Sequence, residues 1–170
     1  MDTLIPLAVK VVTSLLALAV LLGLAYELLH KSSAETAAGY QSNLFANIEG
    51  LYHGGMSAPN YSGLYNTTAV SAGAVPRGMT NGDGSSIEGP WPNGDVFLSS
   101  TNDGAGWQAT WNNVPTDACT SFARSQAASH ITIGSSTITP SDTSSSSDIA
   151  NACNAVQAGT TVDITFEYDG

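Results

Sequence analysis

Residues Leu4–Leu24 read LIPLAVKVVTSLLALAVLLGL, an apolar run with Lys10 as its one charged residue. About 20 such residues suffice for a helix to cross a bilayer. From Ala25 the chain continues AYELLHKSSAETAAGYQSNLFANIEGLYHG, with apolar side chains at Tyr26, Leu29, Ala37, Tyr40, Leu44, Ile48, Leu51 and Tyr52. Spacings of three, four and their multiples mark one face of a helix. Glu27 and Lys31 stand four apart in the order that favours a helical ion pair. Gly54-Gly55 supplies a stop. The pattern predicts one helix of roughly 50 residues, about 75 Å long at 1.5 Å per residue. Residues 1–24 form its all-round apolar part and 25–54 its amphipathic part, with a separate head over 55–170.

Three roles compete for such a segment. A cleaved signal peptide has a basic start, a shorter apolar core and a small-residue cleavage site, which Lys10 and Ser32-Ser33-Ala34 only imitate. A plain membrane anchor carries basic residues on its cytoplasmic flank, yet Met1-Asp2-Thr3 has none and His30-Lys31 lies at the far end. An assembly helix is apolar because it is buried first in lipid and then among copies of itself. The amphipathic continuation favours this third role, since it provides a face that can pack on a head.

Lys10 is costly in apolar surroundings and needs either a route to the interface or a partner. Asp2 is a candidate partner on a neighbouring copy, since eight residues of helix cover about 12 Å. A pair of this kind would set register between subunits more than it would add stability. Asp2 is also favoured at a helix N-terminus on its own account. Pro6 falls in the first turns, where a missing N–H matters little. Gly23 weakens the helix by about 1 kcal/mol relative to alanine; it marks either close packing or a place where the helix stretches on assembly.

Beyond Gly55 the helical period is lost. Turn signals stand at Asn81-Gly82, Asp83-Gly84 and Pro92-Asn93-Gly94. Val96-Phe97-Leu98 reads as a strand. Trp107–Trp111 alternates and puts both tryptophans on one sheet face. His130–Thr139 reads as a hairpin turning near Gly134-Ser135, and Val162–Tyr168 as a terminal strand. Cys119 leads into a short helix, TSFARSQAA, and Cys153 lies in another, DIANACNAV. The expected class is α+β, a long helix across an antiparallel sheet of four or five strands. The Ser/Thr-rich run Thr137–Asp148 reads as an exposed loop, open to O-glycans or to a receptor.

Composition excludes more than it assigns. The chain has 170 residues, enough for one domain with an added element. Its formal net charge is -10, from 4 Lys+Arg against 14 Asp+Glu, so it lacks the basic footprint of a nucleic-acid binder. The two cysteines, Cys119 and Cys153, have no zinc-like spacing and point to a disulfide in an oxidising compartment, the alternative being two buried thiols. His30, His53 and His130 are far apart, and no Gly-x-Ser-x-Gly, phosphate-loop or dinucleotide pattern occurs. Asp103, Asp117 and Asp163 form no local cluster. No catalytic, metal or cofactor role is expected. Asn60-Tyr61-Ser62 and Asn66-Thr67-Thr68 match the N-glycosylation sequon, as chance alone allows in a chain this rich in Asn, Ser and Thr.

The chain resembles type IVb pilins, in particular those of conjugative thin pili and related enteric pili. The resemblance rests on the apolar N-terminal helix, GLYNTTAVSAGAVPRGM (Gly63–Met79), IEGPWPNGDVFL (Ile87–Leu98), PTDAC (Pro115–Cys119), and DIANACN followed by TVDITFEY, in that order. It implies the type IV pilin fold, with Cys119 and Cys153 as the C-terminal disulfide. It implies a structural major subunit that polymerises into an extracellular helical filament for adhesion, aggregation or mating-pair stabilisation. Before assembly such a subunit sits in the inner membrane, where a prepilin peptidase removes a basic leader and the assembly machinery extracts it. The residue exposed by that cut, here Met1, is often N-methylated. The contacts between subunits would involve Asp2, Pro6, Lys10 and Gly23, and a cell-surface receptor is a further partner. Position 5 departs from the wider pattern: Ile5 stands where many pilins have glutamate. A minor or tip pilin, or a membrane-anchored adhesin domain, is the alternative.

Overall fold

The computed structural model describes residues 4–53 and 58–170, and leaves the side chains of 4–15 and 24–32 undescribed. Helix α1 runs Leu4–Tyr52. The chain divides into two compact units, Met1–Ser32 and Ser33–Gly170. In the first, Leu16, Leu18, Val20, Leu21 and Leu22 of α1 are exposed. Among the described residues no helix is long and apolar enough to cross a membrane. Most of the run expected to do so, within 1–24, lies outside the described side chains.

In the second unit, Ala34, Ala37, Gln41, Leu44 and Ile48 form the buried face of α1. Spacings of three and four residues put them on one stripe. Leu44 and Ile48 are fully buried, each contributing about 1.5–3 kcal/mol over an exposed side chain. Three described members of the expected stripe depart from it: Leu51 is exposed, and Tyr40 and Tyr52 are only partly buried. Next to Tyr40 the fully buried position is one residue on, at Gln41.

Among the described residues five antiparallel strands make one sheet: β1 (Val96–Thr101), β2 (Gly106–Pro115), β3 (His130–Ile133), β4 (Ser136–Ile138) and β5 (Thr161–Asp169), in the order β1-β2-β5-β3-β4. Trp107 and Trp111 share the inner face, as alternation predicts, with Ile164, Phe166 and Tyr168 of β5. Phe122 touches Trp111 and Phe166 edge-on at centroid distances of 4.9 and 5.2 Å. The β2–β5 register shifts between Trp111 and Val114, where Asn113 takes a positive φ and its backbone N–H donates to Asp163 Oδ1. This bulge lets an otherwise flat pair twist.

The expected hairpin turns over Gly134-Ser135, and Gly134 supplies the positive φ. Three other elements differ from the sequence reading. Helix α3 spans Thr116–Arg124, so it starts before Cys119; Pro115 sits at its N-cap and Asp117 in its first turn. Helix α4 spans Ser145–Asn154, so the Ser/Thr-rich run becomes helical before it ends. A short helix α2, Asn66–Ser71, was not expected. Asn66 closes the edge of β1: its amide donates to the Val96 carbonyl at 2.7 Å and its Oδ1 accepts from Leu98 N–H at 2.8 Å. One side chain thereby occupies the sites an added strand would use.

Cys119 on α3 and Cys153 on α4 form the disulfide. Arg124 adds a second tie, donating to the Ser146 carbonyl at 2.6 Å.

Candidate functional site

The head holds its helix through polar groups as well as apolar ones. Gln41, fully buried, accepts from the Trp111 indole N–H at 2.6 Å and donates to the Tyr168 hydroxyl at 2.9 Å. One amide thus serves β2 and β5 together. Burial raises the Tyr168 pKa to about 12, with the nearby Glu49 charge acting in the same direction and the Gln41 bond opposing it.

Two turns further on, Glu49 Oε1 accepts from Tyr61 Oη at 2.8 Å and from the Trp107 indole at 2.9 Å. Its other oxygen lies 2.7 Å from His53 Nε2. Burial, then the hydrogen bond to Glu49, then its charge hold the Tyr61 hydroxyl well above the usual phenol range. A carboxylate with two neutral donors and an imidazole is well satisfied, so this cluster is an anchor and not a reactive centre. Asn47 donates to the Ala74 carbonyl at 2.9 Å and adds a loop to the same helix. Phe45 lies over Trp107 and Tyr168, at centroid distances of 6.2 and 4.8 Å.

Of the residues singled out from the sequence, Met1 and Asp2 lie outside the described residues. Pro6 and Lys10 fall within α1, but their side chains lie outside the described ones, and so does any contact between Asp2 and Lys10. Gly23 is exposed, and among the described residues a Cβ built on it would meet nothing within 4 Å. Cys119 and Cys153 are joined as expected.

His53 belongs to the Glu49 cluster, and His130 Nδ1 lies 3.4 Å from the Thr139 hydroxyl. Among the described residues no group of three His, Cys, Asp or Glu is placed to hold a metal ion. The Asn66 amide is already engaged at the β1 edge, so a glycan there would break that cap. Gln41 and Glu49 escaped the sequence reading. Their signal was a polar residue at core spacing on a helix, next to a sheet face that carries indole donors and a phenol acceptor.

The comparisons agree with this geometry. The PilS N-terminal family model matches residues 33–167. No curated protein matches the chain. Among solved structures, the type IVb pilin from Salmonella typhi aligns with a TM-score of 0.60 and 25% identity, covering 80% of this chain and 99% of that one. The chain belongs to the PilS N-terminal family, and it has the α+β fold of a type IVb pilin.

Proposed function

We propose that this pilin is the major, polymerising subunit of an extracellular type IV filament serving adhesion, aggregation or mating-pair contact. The observation that carries the reading is the contrast along α1. Ala34 to Ile48 are locked into the head, while Leu16–Leu22 remain exposed and apolar. Exposed side chains of that kind are unfavourable in water at about 25 cal/mol per Å² of apolar surface, and packing against identical helices relieves this. In this proposal residues 1–54 are the assembly element and 55–170 the head. The inner membrane holds the subunit before assembly, and Met1 is the processed and methylated residue. Asp2 of one subunit meets Lys10 of another, and Pro6 and Gly23 lie among the contacts between subunits.

Electron microscopy of material sheared from cells expressing the chain tests this. Filaments that lose most of their mass when the gene is deleted support a major subunit. Filaments of unchanged abundance would make it a minor or tip pilin. In a double-mutant cycle on filament yield, Asp2→Ala and Lys10→Ala should be non-additive; additive losses would refute the pairing.

A further inference from the structure

The two edges of the sheet differ. Asn66 occupies that of β1, whereas among the described residues no strand pairs with the outer edge of β4. Antiparallel pairing alternates, so the register decides which groups that edge offers. Gly134 N–H donates to the Asp163 carbonyl on β5, placing Thr132 in a pair hydrogen-bonded to β5. Thr132 opposes Thr137 of β4. Thr137 therefore directs its backbone N–H and C=O away from β3, into open space.

That space is a groove of about 400 Å³ with Ser136–Thr139 on one wall and α4 on the other. The other wall is Asp148, Asn151 and Ala152 of α4 with Ala155, the residue that caps its C-terminus. The two alanines leave room for a chain lying along that wall, and Asp142 and Asp148 put negative charge at the rim. The nearby cation Arg124 is already bound to the Ser146 carbonyl.

We propose that this groove accepts an extended peptide segment of another protein, carrying basic side chains, as a strand added to β4. Strand addition takes its affinity from backbone hydrogen bonds and its selectivity from alternate side-chain contacts. Here a partner residue opposite Thr137 exchanges two backbone hydrogen bonds, and its flanking lysines or arginines meet Asp142 and Asp148. A second copy of this chain is a poor occupant. Asp2 and Glu27 cancel Lys10 and Lys31, so the whole charge of -10 resides in residues 33–170, where Arg77 and Arg124 are the only lysine or arginine residues. A three-residue edge binds weakly, and repetition along the filament proposed above would supply the avidity.

The test uses the full chain in detergent micelles and a blocked Lys-Thr-Val-Lys-Thr-Val peptide. Fluorescence anisotropy gives its affinity, and the Thr137 amide resonance reports the contact. We expect saturable binding that shifts this resonance. It should weaken at least tenfold when glutamates replace the lysines, when alternate peptide nitrogens are methylated, and in Thr137→Pro or Ala155→Trp. Ala155→Trp fills the groove from an exposed position just past the end of α4, and so tests the site even if Thr137→Pro disturbs the strand. Absence of binding at millimolar peptide, or affinity indifferent to N-methylation or to Ala155→Trp, would overturn the proposal. A concentration-dependent dimer abolished by Thr137→Pro would replace the peptide by a second copy. Micelles contain no filament, so failure here is distinct from failure of the filament reading.

Discussion

The indole N–H of Trp111 donates to Oε1 of Gln41 across 2.6 Å, joining a sheet strand to the middle of α1 with both residues fully buried. Apolar stripes specify which face of a helix is inward, but tolerate sliding by a turn. A buried amide with two fixed partners does not, since any slip leaves the indole donor and the phenol acceptor without their partner. Gln41→Ala should therefore destabilise the head by about 2–4 kcal/mol, combining a cavity with orphaned polar groups. Denaturant unfolding of the detergent-solubilised chain measures this. A loss below about 0.5 kcal/mol would mean the amide has no such role.

Tyr168 gives the fold an alkaline limit. Its pKa rises from 10.0 in the unfolded chain to about 12 in the folded one, so the native state holds the proton more tightly. The associated stability is complete below pH 10 and is lost as pH climbs towards 12, on the order of 2–3 kcal/mol. Tyr61 is held up as well and adds to the decline. Titration followed at the tyrosinate absorbance should show late-ionising tyrosines, and Tyr168→Phe should remove one of them. Ionisation of every tyrosine near pH 10 in the folded protein would contradict the burial described here.

Gly106 opens β2 where three pieces of backbone meet. A Cβ on it would fall 2.6 Å from the Tyr168 carbonyl and 2.7 Å from Thr101 Oγ1. The carbonyl belongs to the central strand pair and has little freedom to yield. Gly106→Ala should cost roughly 1–3 kcal/mol, the range for overpacking. Gly23→Ala should leave the head's unfolding unchanged, because among the described residues nothing lies within 4 Å of that position; any effect should appear in filament yield. Equal unfolding midpoints for wild type and Gly106→Ala would refute the crowding argument.

Reduction of the disulfide should loosen the α3–α4 corner. Cys119 and Cys153 are 34 residues apart in sequence, and closing a loop of that length is worth about 3–4 kcal/mol in the chain-entropy model. The Cys119→Ser, Cys153→Ser double variant should lower the denaturant midpoint accordingly. Hydrogen exchange should accelerate first in α3 and α4 and last in β2 and β5, which lie at the sheet centre. Uniform acceleration across the sheet would show that the bridge supports the whole head instead.

Much of this architecture is legible in one dimension, because it depends on period. The long helix follows from the apolar run and the three-and-four stripe. Alternation from Trp107 to Trp111 and from Val162 to Tyr168 reveals two strands and their inward faces. Gly134 marks the hairpin turn through the φ it must adopt. The early start of α3 and the helical end of the Ser/Thr-rich run were missed because weak local propensity in short segments yields to packing. Gln41 was missed because a glutamine on a stripe carries no sign of what it will meet.

Sequence alone determined that an apolar rod precedes an acidic α+β head whose two cysteines suit a disulfide, since hydrophobic period, net charge and cysteine count are read along the chain without knowing its contacts. Only the tertiary structure decided the pairing of Gln41 with Trp111 and Tyr168, the closing of the β1 edge by Asn66, and the open edge at Thr137. Those outcomes join residues far apart in the chain, and they are set by the geometry of packing and by the need of each buried polar group for a partner.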